Sequence, residues 1–165
     1  MVRYLVLVLV LVALVPFVPQ WAGDWISSQK QDTSPEKAAQ SQSRTMRIPA
    51  DARGHFVLEA EINGKQVEML VDTGATVVAL PQSVARRAGL SLKKDDFTAS
   101  ATTANGTIPA APVVLKQLRL GSIRLSEVEA MVLPDASLSK ALLGMSALRR
   151  LERFDISGDT LVLVQ

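Results

Sequence analysis

At 165 residues the chain accommodates one domain more comfortably than two, and 18 Lys+Arg against 16 Asp+Glu leave a net charge of +2. That small excess sits in the N-terminal third, and from residue 55 onward acidic and basic residues balance. With no basic face and only 4% aromatic residues, nucleic acid is not an expected partner, since phosphate neutralisation and base stacking both lack their side chains. Cysteine is absent and histidine occurs once. This rules out disulfides, thiol nucleophiles and Cys/His zinc sites, and makes any Ser-His-Asp triad depend on His55. Nothing has metal-ligand spacing, and no cofactor is expected.

Residues 2–18 are an almost unbroken run of Val, Leu and Ala, interrupted by Arg3, Tyr4, Pro16 and Phe17. At 1.5 Å per residue, roughly 17–20 residues cross a bilayer core of about 30 Å, and residues 19–21 bring the run into that range. Trp21 and Trp25 suit the interface. A cleavable secretory signal has a similar basic start and apolar centre, but the small-x-small site is poor, with Gln20 two residues before Ala22. Residues 1–22 are therefore read as a transmembrane signal anchor. Arg3 precedes the apolar run and Asp24 follows it, which places the N-terminus in the cytoplasm and the rest outside it, periplasmic in a bacterium.

Residues 23–53 are rich in Gln, Ser, Lys, Asp and Ala without apolar periodicity. Such a stretch cannot bury enough surface to offset chain entropy, so it reads as a flexible polar linker, reaching on the order of 30 Å as a coil.

The pattern changes in the expected domain, residues 54–165. Phe56, Leu58, Ala60 and Ile62 alternate with Val57, Glu59, Glu61 and Asn63, the period of a half-buried strand. Asn63-Gly64 offers the two positive-φ residues of a tight hairpin, and Val67, Met69 and Val71 resume the alternation. Residues 77–80 read as a further strand. Residues 81–88 read as a helix with Pro at its start and Gly89 as its stop. A second Asn-Gly, Asn105-Gly106, predicts a hairpin between residues 98–104 and 107–115, and Gly121-Ser122 predicts another turn. Residues 128–133 form a strand ended by Pro134-Asp135, and Leu142-Leu143-Gly144 leads into a helix over 145–151. Residues 154–156 and 160–164 flank a closing turn. Many short strands with frequent turns and two short helices predict an all-β, barrel-like domain.

Within this frame Met69-Leu70-Val71-Asp72-Thr73-Gly74-Ala75-Thr76 delivers a carboxylate at the end of an apolar strand and follows it with a hydroxyl and a glycine. A peptide bond can be hydrolysed by a water held between two carboxylates, one taking the water's proton and one donating to the carbonyl oxygen. Two carboxylates held that close share a proton and titrate as a pair. Leu70 and Val71 limit water, Thr73 and Thr76 offer hydroxyls within the loop, and Gly74 offers close approach and an N–H for the carboxylate. Asp-Thr-Gly alone is also ordinary turn chemistry; the flanking apolar runs separate this stretch from a solvated turn.

These residues, with Ile62-Asn63-Gly64 before them, resemble the first half of a retropepsin-like aspartic peptidase. Ala104-Asn105-Gly106 falls where that family has its flap, and Leu142-Leu143-Gly144-Met145 where it has its hydrophobic-hydrophobic-Gly motif. The likeness is greatest to the bacterial membrane-anchored members with one such domain. The resemblance implies an aspartic endopeptidase acting on peptide or protein substrates as a homodimer, with Asp72 of each subunit forming the dyad and the Thr73 hydroxyls bridging the two loops. It also implies that the terminal strands contribute to the dimer sheet. Independently, no second Asp-Thr/Ser-Gly occurs in the chain: Asp155-Ile156-Ser157 puts a bulky Ile before its hydroxyl, and Asp159-Thr160-Leu161 lacks the glycine. A non-catalytic peptide-binding module on the same barrel is the alternative.

Other features support less. His55 reads as a surface residue, and Ser146 lacks the second glycine of a nucleophile elbow. Lys93-Lys94-Asp95-Asp96 reads as a solvated loop, and Arg149, Arg150 and Arg153 as cations favoured near a helix C-terminus. Thr102, Thr103 and Thr107 are equally readable as peptide contacts and as exposed strand residues.

Overall fold

The computed structural model describes residues 43–103 and 106–165. The expected anchor and most of the expected linker lie outside the described residues, as do Ala104 and Asn105 of the expected flap. The described strands are β1 (Thr45–Pro49), β2 (Val57–Ile62), β3 (Lys65–Val71), β4 (Val78–Pro81), β5 (Ala99–Thr103), β6 (Gly106–Leu120), β7 (Ile123–Leu133), β8 (Ala141–Leu143), β9 (Arg153–Ser157) and β10 (Thr160–Val164). Two short helices, α1 (Gln82–Arg87) and α2 (Met145–Leu148), and a 3₁₀ turn (Lys94–Asp96) complete them.

The larger sheet runs β2-β3-β8-β4-β7-β6-β5, and a further pairing of β2 with β6 closes it into a barrel. At that closure Arg119 and Glu61 are register partners and form an ion pair. Inward positions alternate with outward ones: Leu58, Ala60 and Ile62 on β2 and Val67 and Met69 on β3 are buried, while Glu59 and Glu68 face out. The main core joins these to Leu80, Leu115, Leu118, Leu120, Leu143 and Leu148. The turn between β2 and β3 has φ of 49° at Asn63 and 81° at Gly64, the left-handed pair that makes Asn-Gly the favoured sequence for a two-residue hairpin. The Asn63 side chain also accepts from the Gln117 N–H (3.2 Å) and donates to the Ala88 carbonyl (3.4 Å), tying the hairpin to β6 and to the end of α1.

The smaller sheet, β1-β10-β9, corrects the expected linker boundary. Residues 45–49, assigned to the polar tether, pair antiparallel with β10 from Thr45↔Val164 to Pro49↔Thr160. Ile48 is buried and Met46 packs against the core. Five residues carry too short an alternation to register by themselves, and β10, which gives them their partner, comes at the opposite end of the chain.

A second difference concerns β6. The expected strand stops at residue 115, but one strand of 15 residues, with Pro109 and Pro112 inside it, continues to Leu120. Residues 106–110 pair with β5 and residues 111–120 with β7. Each proline therefore sits where the strand has a ladder on one side only, the position at which a missing N–H is tolerated. The register also pairs Thr103 with Gly106, φ 106°, so Gly106 begins β6.

Candidate active site

Three strands converge to shape the loop that carries Asp72. β3 ends at Val71, β4 begins at Val78, and the short β8 lies between them. β8 runs parallel to β3, with Leu70↔Leu142 and Val71↔Leu143, and antiparallel to β4 at Ala79↔Leu142. The hydrophobic-Gly motif is thus inserted between the two limbs of the Asp72 loop. Its apolar residues are explained by that position, with Leu143 fully buried.

The loop is fixed by backbone and side-chain bonds. The Asp72 N–H donates to the Leu143 carbonyl (3.1 Å), and the Ala75 N–H to the Asp72 carbonyl (3.3 Å). The Gly74 N–H donates to Asp72 Oδ1 (2.8 Å), which sets the orientation of the carboxylate. From the other side the Met145 N–H donates to the Ala75 carbonyl (2.8 Å). Gly144 packs so closely that a Cβ there would lie 2.2 Å from the Val77 carbonyl oxygen and 2.7 Å from that of Ala75.

Ser146 is the residue whose part the sequence conceals. Its hydroxyl donates to the Glu129 carbonyl (2.7 Å) and accepts from the Val78 N–H (2.9 Å), joining α2 to β4 and β7. Judged as a nucleophile it has no case. Its position two residues beyond the glycine that meets the loop was the available signal.

Asp72 opens into a cleft of about 710 Å³. The loop contributes Gly74, Ala75, Thr76 and Val77 to its floor, and β5 faces them with residues 100–103. Met131, Leu133, Leu138 and Leu142 form an apolar wall. Several of these belong to a small apolar cluster centred on Ala79, Ala110 and Leu133, separate from the main core. Of the expected flap residues only Gly106 is described, at the start of β6, and Thr103 donates from its hydroxyl to the Gly106 carbonyl (2.9 Å). Asp72 is half-buried, whereas Thr73, Gly74 and Thr76 are exposed on the single chain.

Several polar groups away from the cleft have local partners. His55 is exposed and lies 3.7 Å from the Asp51 carboxylate, whose Oδ1 accepts the N–H groups of Arg53 (2.8 Å) and His55 (2.9 Å). Those bonds, led by that from His55, hold the Asp51 carboxyl below its ordinary pKa. Asp96 accepts the Lys93 N–H (2.7 Å) in the 3₁₀ turn. Arg150, expected to serve a helix end, instead donates to the Ser126 and Glu127 carbonyls of β7.

Residues 58–150 match the family model described as "gag-polyprotein putative aspartyl protease". An uncharacterised protein from the cobV 5′ region of Sinorhizobium sp. is 40% identical over 110 residues, 67% of this chain and 47% of the relative. An uncharacterised protein of Rickettsia prowazekii (strain Madrid E) is 36% identical over 116 residues, 70% of this chain and 49% of the relative. The chain spans about half the length of these curated relatives. Among solved structures, a retropepsin-like aspartic protease from Rickettsia conorii aligns at 36% identity with a TM-score of 0.64, covering 73% of this chain and 98% of that one. With the Asp72 loop, its supporting Gly144 and the closed barrel already in place, these likenesses give one family: the chain belongs to the retropepsin-like aspartic proteases.

Proposed function

We propose that the protein is an aspartic endopeptidase that acts as a homodimer, each subunit contributing one Asp72 to a shared dyad. The observation that carries this reading is the Asp72 carboxylate, oriented by the Gly74 N–H at the floor of a cleft large enough for peptide side chains. One such loop supplies half of the chemistry. A water between two Asp72 carboxylates would lose its proton to the ionised one, attack the peptide carbonyl carbon, and leave the carbonyl oxygen to be protonated by the other. The exposure of Thr73, Gly74 and Thr76 supports a second copy packing against this loop. The apolar start of the chain supports an anchor that holds the domain outside the cytoplasm, joined by a polar linker that ends before β1.

The test is peptide cleavage by the protein and by Asp72→Asn. Cleavage by the first alone supports the mechanism, and equal cleavage by both contradicts it. Dimer dependence predicts that activity per subunit falls on dilution; constant specific activity down to monomer argues against a shared dyad. N-terminal sequencing of the mature protein reports whether the apolar segment is retained.

A further inference from the structure

The apolar wall of the cleft is completed by the connection between β7 and β8, residues 134–140. It carries Ser137 and Leu138 to the cleft between Leu133 and Leu142. The segment has no helix or strand of its own. Inside it, the Ser137 and Leu138 N–H groups donate to the Pro134 carbonyl (2.9 and 3.3 Å), which curls the turn without attaching it to anything. At its far end Lys140 pairs with Glu68 (2.8 Å), but both side chains are about half exposed and such a pair holds weakly.

The attachment comes from Asp135. Its Oδ1 accepts the Ser83 N–H of α1 (2.9 Å), 52 residues away in sequence. The helix has its own need for this bond. Its N-cap is Pro81, which makes no side-chain cap hydrogen bond, so a donor of the first turn would otherwise be left to solvent. The Ser83 N–H bond comes first among the causes that lower the Asp135 pKa, followed by the Ser83 hydroxyl and the charges of Arg86 and Arg87. One carboxylate thereby caps α1 and pins the cleft wall to it. Asp135 itself is not among the residues lining the cleft.

We propose that Asp135 is a positioning residue for substrate recognition. Through Ser83 it fixes the wall segment so that Leu138 meets an apolar side chain of the bound peptide. The inference rests on the reading of the cleft as the peptide site. The Asp72 loop is held by different partners, namely Leu143, Met145 and Ser146, so loss of the Asp135 bond weakens peptide binding and leaves the chemical step in place.

The experiment is steady-state kinetics of the full chain on synthetic decapeptides with Leu or Phe flanking the cleaved bond. Asp135→Ala, Asp135→Asn, Leu138→Ala and the Asp135→Ala/Leu138→Ala double variant are compared, with thermal melts of each. Asp135→Ala should raise KM about five-fold, the scale of one lost cap bond, with kcat within about two-fold. Asp135→Asn keeps an acceptor oxygen and should restore KM. In the Leu138→Ala background the Asp135 change should add nothing, because the residue it positions is gone. A lowered Tm with unchanged KM, or the same KM increase in both backgrounds, overturns the proposal. Absence of cleavage by the unsubstituted chain contradicts the activity reading instead. Dissociation constants for the same decapeptides, by calorimetry, then take the place of KM with the same two outcomes.

Discussion

Gly144 stands against Val77 so closely that a methyl group on it would lie 2.2 Å from the Val77 carbonyl oxygen and 2.6 Å from the carbonyl carbon. These are backbone atoms and cannot swing aside. Gly144→Ala must therefore displace either α2 or the loop that carries Asp72. Overpacking of this kind costs about 1–3 kcal/mol, and here the strain falls on the loop itself. We expect a lowered denaturant midpoint together with a loss of peptide cleavage larger than the fraction unfolded would explain. Full activity in a well-folded Gly144→Ala protein would show that the contact is not tight.

Ser146 holds the same region by hydrogen bonds. Ser146→Ala leaves the Val78 N–H without its acceptor and the Glu129 carbonyl without its donor. A deleted partner of this type costs about 1–3 kcal/mol, with partial exposure of Ser146 favouring the lower end. Ser146→Thr retains the hydroxyl and should recover most of the loss. Urea titrations of both variants make the comparison.

Acid stability has a defined sign. The Asp51 pKa is lowered first by the His55 N–H and then by the Arg53 N–H, and that of Asp135 first by the Ser83 N–H. A carboxyl depressed on folding contributes stability that is present above its ordinary value of 3.8 and is lost as pH falls through the folded value. The domain should therefore lose melting temperature as pH drops below about 4. The Asp51→Asn/Asp135→Asn variant should show a shallower decline over that window. Parallel curves would place the acid sensitivity elsewhere.

Much of this architecture is legible in the sequence where pairing is local. The alternation over residues 56–62, the left-handed Asn63-Gly64 pair and the run into Asp72 specify one hairpin and its register. The helix over 82–87 is marked by Pro81 before it and Gly89 after it. What stays hidden is non-local. β1 is read as tether because its partner is β10, and the run of β6 beyond residue 115 is set by its pairing with β7, from Gln117↔Ser126 to Leu120↔Ile123. The site divides the same way. Asp72 and Gly144 announce themselves by local motif, whereas Ser146 and Asp135 act through contacts 68 and 52 residues away in the chain.

If Asp72 works only beside its own copy, as proposed, mixing active and inactive subunits exposes the dependence. Asp72→Asn keeps an oxygen that can accept the Gly74 N–H, so the variant should fold and exchange subunits normally. With wild-type and Asp72→Asn chains equilibrated at fixed total concentration, mixed dimers carry one carboxylate and should be inactive. Peptidase activity should then fall with the square of the wild-type fraction. A linear fall would mean that each chain cleaves with its own aspartate alone, contradicting the shared dyad.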